Sequence, residues 1–168
     1  MSALTPESIK ELLGLRPLDM EGGFFAETYR SPERLPSGLL SPGSGGERSL
    51  ATAIYYLLTP DSCSRLHRLR SDEIYHFYLG DQVELLQLGP NGKGKVVRLG
   101  SDLLEGMCPQ VVVPQGVWQG SRLCAGGTFA LLGTTMAWGF DVADFEAGDR
   151  QFLMQAYPAF ADLIKALT

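Results

Sequence analysis

Histidine is scarce in this chain: only His67 and His76 occur among 168 residues. The three cysteines, Cys63, Cys108 and Cys124, are odd in number and include no CxxC pair. That leaves reduced thiols in a cytoplasmic setting as the default. No stretch approaches the roughly 20 apolar residues of a membrane span. The opening "MSALTPESIKELLGL" lacks the apolar run of a signal peptide. Cations are fewer than anions, 14 against 19, for a net charge of -5 and a pI near 5.0. No Lys/Arg cluster offsets this, which argues against nucleic acid or an acidic membrane as partner. The glycine pairs in "EGGFFAE" and "GSGGE" lack the lysine a phosphate loop needs, so nucleotide binding is excluded on motif grounds. Cys63 stands four residues before His67, but no Asn or Asp is placed to orient a Cys–His pair.

What is present is an ordinary globular composition, 45% hydrophobic and 20% charged, in a length that suits one domain over residues 1–168. "TPESIKELLG" reads as a helix, with Thr5 as cap, Pro6 in the first turn and Gly14 as stop. Residues 31–48, rich in Ser, Pro and Gly, read as a flexible loop. From Ser49 to about Asp141 short strand patterns follow one another without helical periodicity. They are "SLATAIYYLLT", the two strands of "SRLHRLRSDEIYHFYLG", then "QVELLQL" and "KVVRLG" around the hairpin signal "GPNGKG". "PQVVVP", "GVWQGSRL", "TFALLGTTMA" and "GFDV" complete the series. That series predicts an all-β sandwich or barrel. Asp144 and Glu146 are expected to end the last strand and open the C-terminal helices of about 146–168. There Phe160, Leu163, Ile164 and Leu167 form an apolar face for the outside of the barrel.

In a small barrel the ligand site is the interior near one mouth. Strict alternation puts Arg65, His67 and Leu69 on one face of their strand. In the next strand Glu73, Tyr75 and Phe77 share one face, and Ile74, His76 and Tyr78 the other. The histidines are therefore expected on adjacent antiparallel strands with different jobs, His67 in the pocket and His76 in packing. In "FFAETYR", Glu27 and Tyr29 fall on one face.

Here a resemblance becomes specific. Cupin barrels carry a first motif G-x5-H-x-H-x(3,4)-E-x6-G, and His67, Glu73 and Gly80 match it in order, with Leu69 at the second histidine position. The second motif, G-x5-P-x-G-x2-H-x3-N, is met by Pro114 and Gly116, with Gln119 at the histidine position and Leu123 at the asparagine. Gly106 lies two residues too far upstream. The chain most resembles the Cupin_5 family, in "EGGFFAETYRS", "TAIYYLL", "VVVPQGVWQG", "GTTMAWGFDVADFE" and "YPAFADLIKAL" as well as the histidine segment. It is also distantly similar, in "SRLHRL", to metal-independent sugar-nucleotide epimerases of the rhamnose pathway. The resemblance implies an all-β cupin (jelly-roll) fold, with short N- and C-terminal helices, assembled as a homodimer; exposed edge strands need covering, and "FFAETY" is the candidate to pair with a partner's sheet.

The resemblance says little about substrate; the leading reading is a small-molecule-binding cupin, acting as a metal-independent isomerase or epimerase on a sugar-like or anionic metabolite. His67 would be the general acid or base and Glu73 its partner. Arg65, Tyr75, Phe77, Trp118, Gln119, Glu27 and Tyr29 would line the ligand. No cofactor is expected, because Leu69 and Gln119 replace two imidazoles of the usual metal set. The alternatives are a divalent transition metal held by His67, Glu73 and Gln119, and a non-catalytic binding or sensing module.

Overall fold

The structure, a computed structural model, describes residues 4–40 and 46–168. Helix α1 (Pro6–Leu13) starts where the sequence signals it. The Ser8 N–H donates to Thr5 Oγ1 at 3.2 Å, and the Thr5 N–H to Ser8 Oγ at 2.9 Å. Gly14 closes the helix in the left-handed region, at φ 62°. The strands follow as β1 (Arg16–Pro17), β2 (Phe24–Arg30), β3 (Arg34–Leu35), β4 (Arg48–Ser49), β5 (Thr52–Leu58) and β6 (Cys63–Arg68). Next are β7 (Asp72–Gly80), β8 (Val83–Leu88), β9 (Gly94–Leu99), β10 (Gln110–Val113), β11 (Trp118–Leu123), β12 (Ala130–Ala137) and β13 (Glu146–Ala147). Helices α2 (Arg150–Ala156) and α3 (Ala161–Ala166) end the chain. No helix among the described residues is long and apolar enough to cross a membrane.

Six strands form one antiparallel sheet in the order β1-β2-β5-β12-β7-β10, and five form the other, β13-β6-β11-β8-β9. Their inner faces share a core in which Tyr56, Tyr75 and Leu132 meet Val83, Leu85 and Leu123. This is the expected all-β sandwich, its two short helical ends packed outside. Leu153, Ile164 and Leu167 of the C-terminal helices bury Leu66, Leu86 and Trp118 on the back of the five-stranded sheet. Ile9 of α1 covers Leu57 and Leu131 on the back of the other.

Several expectations are corrected. Residues 31–48 are not simply a loop: β3 pairs with β4, and Arg48 is buried in a bidentate ion pair with Asp144, at 2.7 and 3.0 Å. Residues 41–45 of that segment lie outside the described residues. "GFDV" forms no strand. Asp144 and Glu146 do not open the helix: Asp149 caps α2, and Glu146 belongs to β13. The strands carrying His67 and His76 are not neighbours. β6 lies in the five-stranded sheet and β7 in the six-stranded one, so the intervening turn crosses between sheets.

Two bulges overturn the strict alternation. On β11, Gln119 pairs with His67 and Ser121 with Ser64, so β6 takes three steps where β11 takes two. Ser64 and His67 thereby share the inner face, and Arg65 points out. The N–H groups freed by the bulge find other partners: Arg65 donates to the Glu21 carbonyl and Leu66 to the Leu167 carbonyl, both at 2.8 Å. On β2, Glu27 pairs with Ile54 but Tyr29 with the adjacent Ala53, leaving Thr28 as the extra residue. Glu27 then faces in and Tyr29 out.

Gly120 is the residue against which the β6 bulge packs. A Cβ there would sit 3.0 Å from the Ser64 carbonyl oxygen and 3.2 Å from the Leu66 nitrogen. Gly120→Ala is therefore expected to destabilise the fold by about 1–3 kcal/mol. Gly38→Ala, with nothing within 4 Å, should stay within about 0.5 kcal/mol of the parent. Denaturant midpoints check this, and equal midpoints for the two variants would refute the crowding.

Candidate functional site

The bulge delivers His67 to the lumen fully buried. Its Nδ1 lies 2.7 Å from the carbonyl oxygen of Arg65. A carbonyl can only accept, so Nδ1 carries the hydrogen, and in the neutral ring Nε2 presents a bare lone pair. Nε2 has no hydrogen-bond partner and stands 3.9 Å from Glu21 Oε2. Phe145 stacks on the ring at 5.0 Å and 18° and fixes its plane.

Glu21 reaches this position from the loop between β1 and β2. Its main-chain carbonyl is held by the β6 bulge, and its Oε1 accepts from the Ser64 hydroxyl at 2.5 Å. Gly22, at φ 106°, allows the approach, since a Cβ there would collide with the Cys63 carbonyl. Glu73 enters from β7 on the opposite sheet, and Gln119 Nε2 donates to its Oε2 at 2.8 Å. Burial pushes the Glu73 carboxyl from 4.5 up to about 7, with repulsion from Glu21 adding. The charge of His67 and hydrogen bonds from Thr134 and Gln119 act against the rise. Deeper in, Tyr56 donates to the Gly22 carbonyl at 2.8 Å. The hydroxyls of Tyr75 and Ser121 and the Oε1 of Gln119 are buried without partners. Burial raises both Tyr56 and Tyr75 well above the ordinary phenol value.

A narrow cavity of about 60 Å³ opens beside these groups, with Glu21 and Glu73 in its wall and Leu18, Met20, Leu69 and Phe140 around it. It is small against the roughly 300–1,000 Å³ of pockets for drug-sized ligands. A wider cleft of about 510 Å³ lies outside, between Arg68, Arg70, Gln115 and Phe145. It shares Leu69 with the inner cavity.

Of the residues singled out in the sequence, His67, Glu73, Tyr75 and Gln119 come together in the lumen. Glu27 lies at the cavity's outer end, paired with Arg30 at 2.7 Å. Phe77 packs against the apolar end of the core. Among these residues only Glu27 and Glu73 line the cavity itself; His67, Tyr75 and Gln119 are buried in the lumen without being among its walls, and three lie outside the lumen altogether. Arg65 is turned out by the bulge, and its guanidinium binds the Asp19 carbonyl. Trp118 packs under the C-terminal helices, with Arg68 4.5 Å above its ring. Tyr29 is 52% exposed on the outer face. His76 is also on that face, between Thr135 Oγ1 at 3.2 Å and Gln110 Nε2 at 3.3 Å. Sequence reasoning missed Glu21 and Ser64. Alternation cannot reveal them, because one sits in a loop and the other is brought in by the bulge; the paired glycines after Glu21 were the available signal.

The residues at the cupin metal positions are a poor fit to a transition metal. Leu69 has no donor atom, Gln119 turns its NH2 to Glu73, and a carboxyl with a pKa near 7 is a reluctant anion. Among the described residues no group of three His, Cys, Asp or Glu side chains is arranged to hold one.

The Glu73 shift has a thermodynamic consequence. A carboxyl at about 7 in the fold and 4.5 when unfolded leaves the native state binding more protons between those values. Its burial is therefore nearly free below pH 4.5 and increasingly costly as pH rises through 7. Glu73→Gln removes that cost. Its stability relative to the parent should rise by on the order of 2–3 kcal/mol between pH 4.5 and pH 8. Chemical denaturation at the two pH values tests this, and a pH-independent difference would refute it.

The chain matches the family model Cupin_5, described as cupin superfamily (DUF985), over residues 7–148. It is 32% identical over 151 residues to the uncharacterized protein YML079W of Saccharomyces cerevisiae, covering 83% of this chain and 74% of that protein. A hypothetical protein from Leishmania major superposes with a TM-score of 0.87 at 31% identity, over 98% of this chain and 99% of that one. Protein SO0799 from Shewanella oneidensis gives a TM-score of 0.85 at 30% identity, over 99% and 98%. On the strength of a match that runs from α1 to the loop before α2, and of barrels that superpose over nearly their whole lengths, the chain belongs to the Cupin_5 family of the cupin superfamily.

Proposed function

We propose that this cupin binds a small polar metabolite in its lumen and moves a proton on it without a metal, as an isomerase or epimerase does. The observation that carries this reading is the bare Nε2 of His67, fully buried, 3.9 Å from Glu21 Oε2 and in the same lumen as a carboxyl with a pKa of about 7. Epimerisation next to a carbonyl needs a base to take the C–H proton and an acid to return one. His67 Nε2 supplies the base, and protonated Glu73, its carboxyl raised to about 7, the acid. Gln119 positions Glu73, and Phe145 with the Arg65 carbonyl positions His67. An anionic metabolite is less well served, since Arg65 lies outside. The cavity volume favours a molecule of about three carbons. The three unpaired thiols fit a cytoplasmic location.

A homodimer is part of the same reading. Beyond Phe25, the outer edge of β2 has no partner strand among the described residues. On the outer face of this sheet stand Tyr29, half exposed on β2 itself, and farther across it Tyr78 on β7 and Val112 on the opposite edge strand β10, at 48%. An open edge next to an exposed aromatic suits a second copy. Light scattering should give twice the chain mass, and a monomer at every concentration would overturn the dimer.

Proton transfer is tested by incubating the protein in D2O with three-carbon hydroxy- and aminoketones, such as dihydroxyacetone and aminoacetone, and following C–H to C–D exchange by NMR. The parent and His76→Ala should exchange. His67→Asn should lose at least about 10²-fold, in line with removal of a general base. Exchange by His67→Asn at the parent's rate would sink the assignment.

A further inference from the structure

We propose that the lumen selects a cation, and that its ligand presents a protonated primary amine on a short apolar stem. This rests on the reading of the lumen as the ligand site and names what that site takes.

The first observation is charge. The charged side chains lining the cavity are Glu21, Glu27 and Glu73, and no Lys or Arg is among its walls. Glu27 is answered at the surface by Arg30. Glu21 and Glu73 have no Lys or Arg beside them among the cavity walls.

The second observation is the direction of the unmet hydrogen bonds. The polar hydrogens whose partners are known are mostly spent: one N–H of Gln119 on Glu73, Ser64 on Glu21, Tyr56 on the Gly22 carbonyl and His67 Nδ1 on the Arg65 carbonyl. What remains against the two cavity-lining carboxyl groups mostly accepts. His67 Nε2 and Gln119 Oε1 are unpartnered, on side chains that are 0% and 1% exposed. The Tyr75 and Ser121 hydroxyls, also unpartnered, can serve either way. A ligand carboxylate here would face the Glu21 carboxylate, the Glu73 carboxyl and two acceptors in a buried space, with no cation among the cavity walls to offset its desolvation. A neutral hydroxyl brings one hydrogen. An ammonium brings three and no acceptor, together with the charge that Glu21 and Glu73 lack.

The third observation is shape. Leu18, Met20, Leu69 and Phe140 surround the acidic floor. Such a rim suits an alkyl stem above a charged head, and about 60 Å³ limits that stem to a few atoms. A divalent metal would meet the charge but not the donor set already described.

The test is an NMR titration of the whole chain at pH 8 and constant ionic strength, reading the ring nitrogens of His67 and His76. The probes are methylammonium and ethanolamine against ethylene glycol, acetate and Zn²⁺. Both amines should shift His67 saturably and leave His76 unmoved, with glycol and acetate at least tenfold weaker. Glu21→Gln should weaken the amines at least tenfold. Glu73→Gln should do the same if Glu21→Gln does not fold. Acetate or glycol binding at His67 as tightly as the amines would overturn the cation assignment and leave the lumen as a ligand site. Zn²⁺ shifting His67 where neither amine does would overturn it likewise. If no probe perturbs His67, both the assignment and the lumen reading fall.

Discussion

Opposite Gly120, β6 carries one residue more than β11, and the chemistry of the lumen depends on that surplus. The bulge places Ser64 and His67 on the same inner face. It expels Arg65, so a side chain that would have neutralised the pocket is absent from it. It also releases two N–H groups from the ladder. One of these grips the carbonyl of Glu21 and sets that carboxylate 3.9 Å from the imidazole; the other anchors the end of the C-terminal helices through Leu167. A single local irregularity thus ties the loop before β2, the inner histidine and the outer helical layer together.

The electrostatics follow from burial. Two carboxylates approach one imidazole in a space largely closed to water, and the desolvated partner, Glu73, is held partly protonated near neutral pH. A carboxyl poised in this way is less stable than a packed apolar residue and more useful for exchanging a proton. The strap from Asp141 to Glu146 holds the arrangement closed. Asp144 is clasped by the buried Arg48, Glu146 by Arg68, and Phe145 between them lies flat on His67. A metal-binding cupin would place further imidazoles on this ring. Here Leu69 and Gln119 take those places, one closing the cavity and the other orienting Glu73.

Much of this was legible in the chain. Alternation on β7 correctly separates Glu73 and Tyr75 from His76, because that half of the strand pairs in register with both neighbours. The cap and stop of α1, the β8–β9 hairpin and the apolar face of the last helix are written in local residues and form where those residues stand. The cupin motif places His67, Glu73 and Gln119 in one lumen without any geometry at all.

What the chain could not show is parity across a bulge. A bulge depends on how two strands meet, and neither "CSRLHR" nor "FFAETYR" carries a mark of the partner it will face. The outward turns of Arg65 and Tyr29 and the inward turn of Ser64 were therefore decided only in the assembled sheet. Trp118 obeys the same limit: its strand parity was readable, but which sheet face the C-terminal helices would cover was not. Glu21 is the clearest instance. From sequence it is one carboxylate among 19 acidic residues, and it becomes part of the site because a glycine turn lets it approach one freed backbone N–H and the Ser64 hydroxyl, some forty residues away.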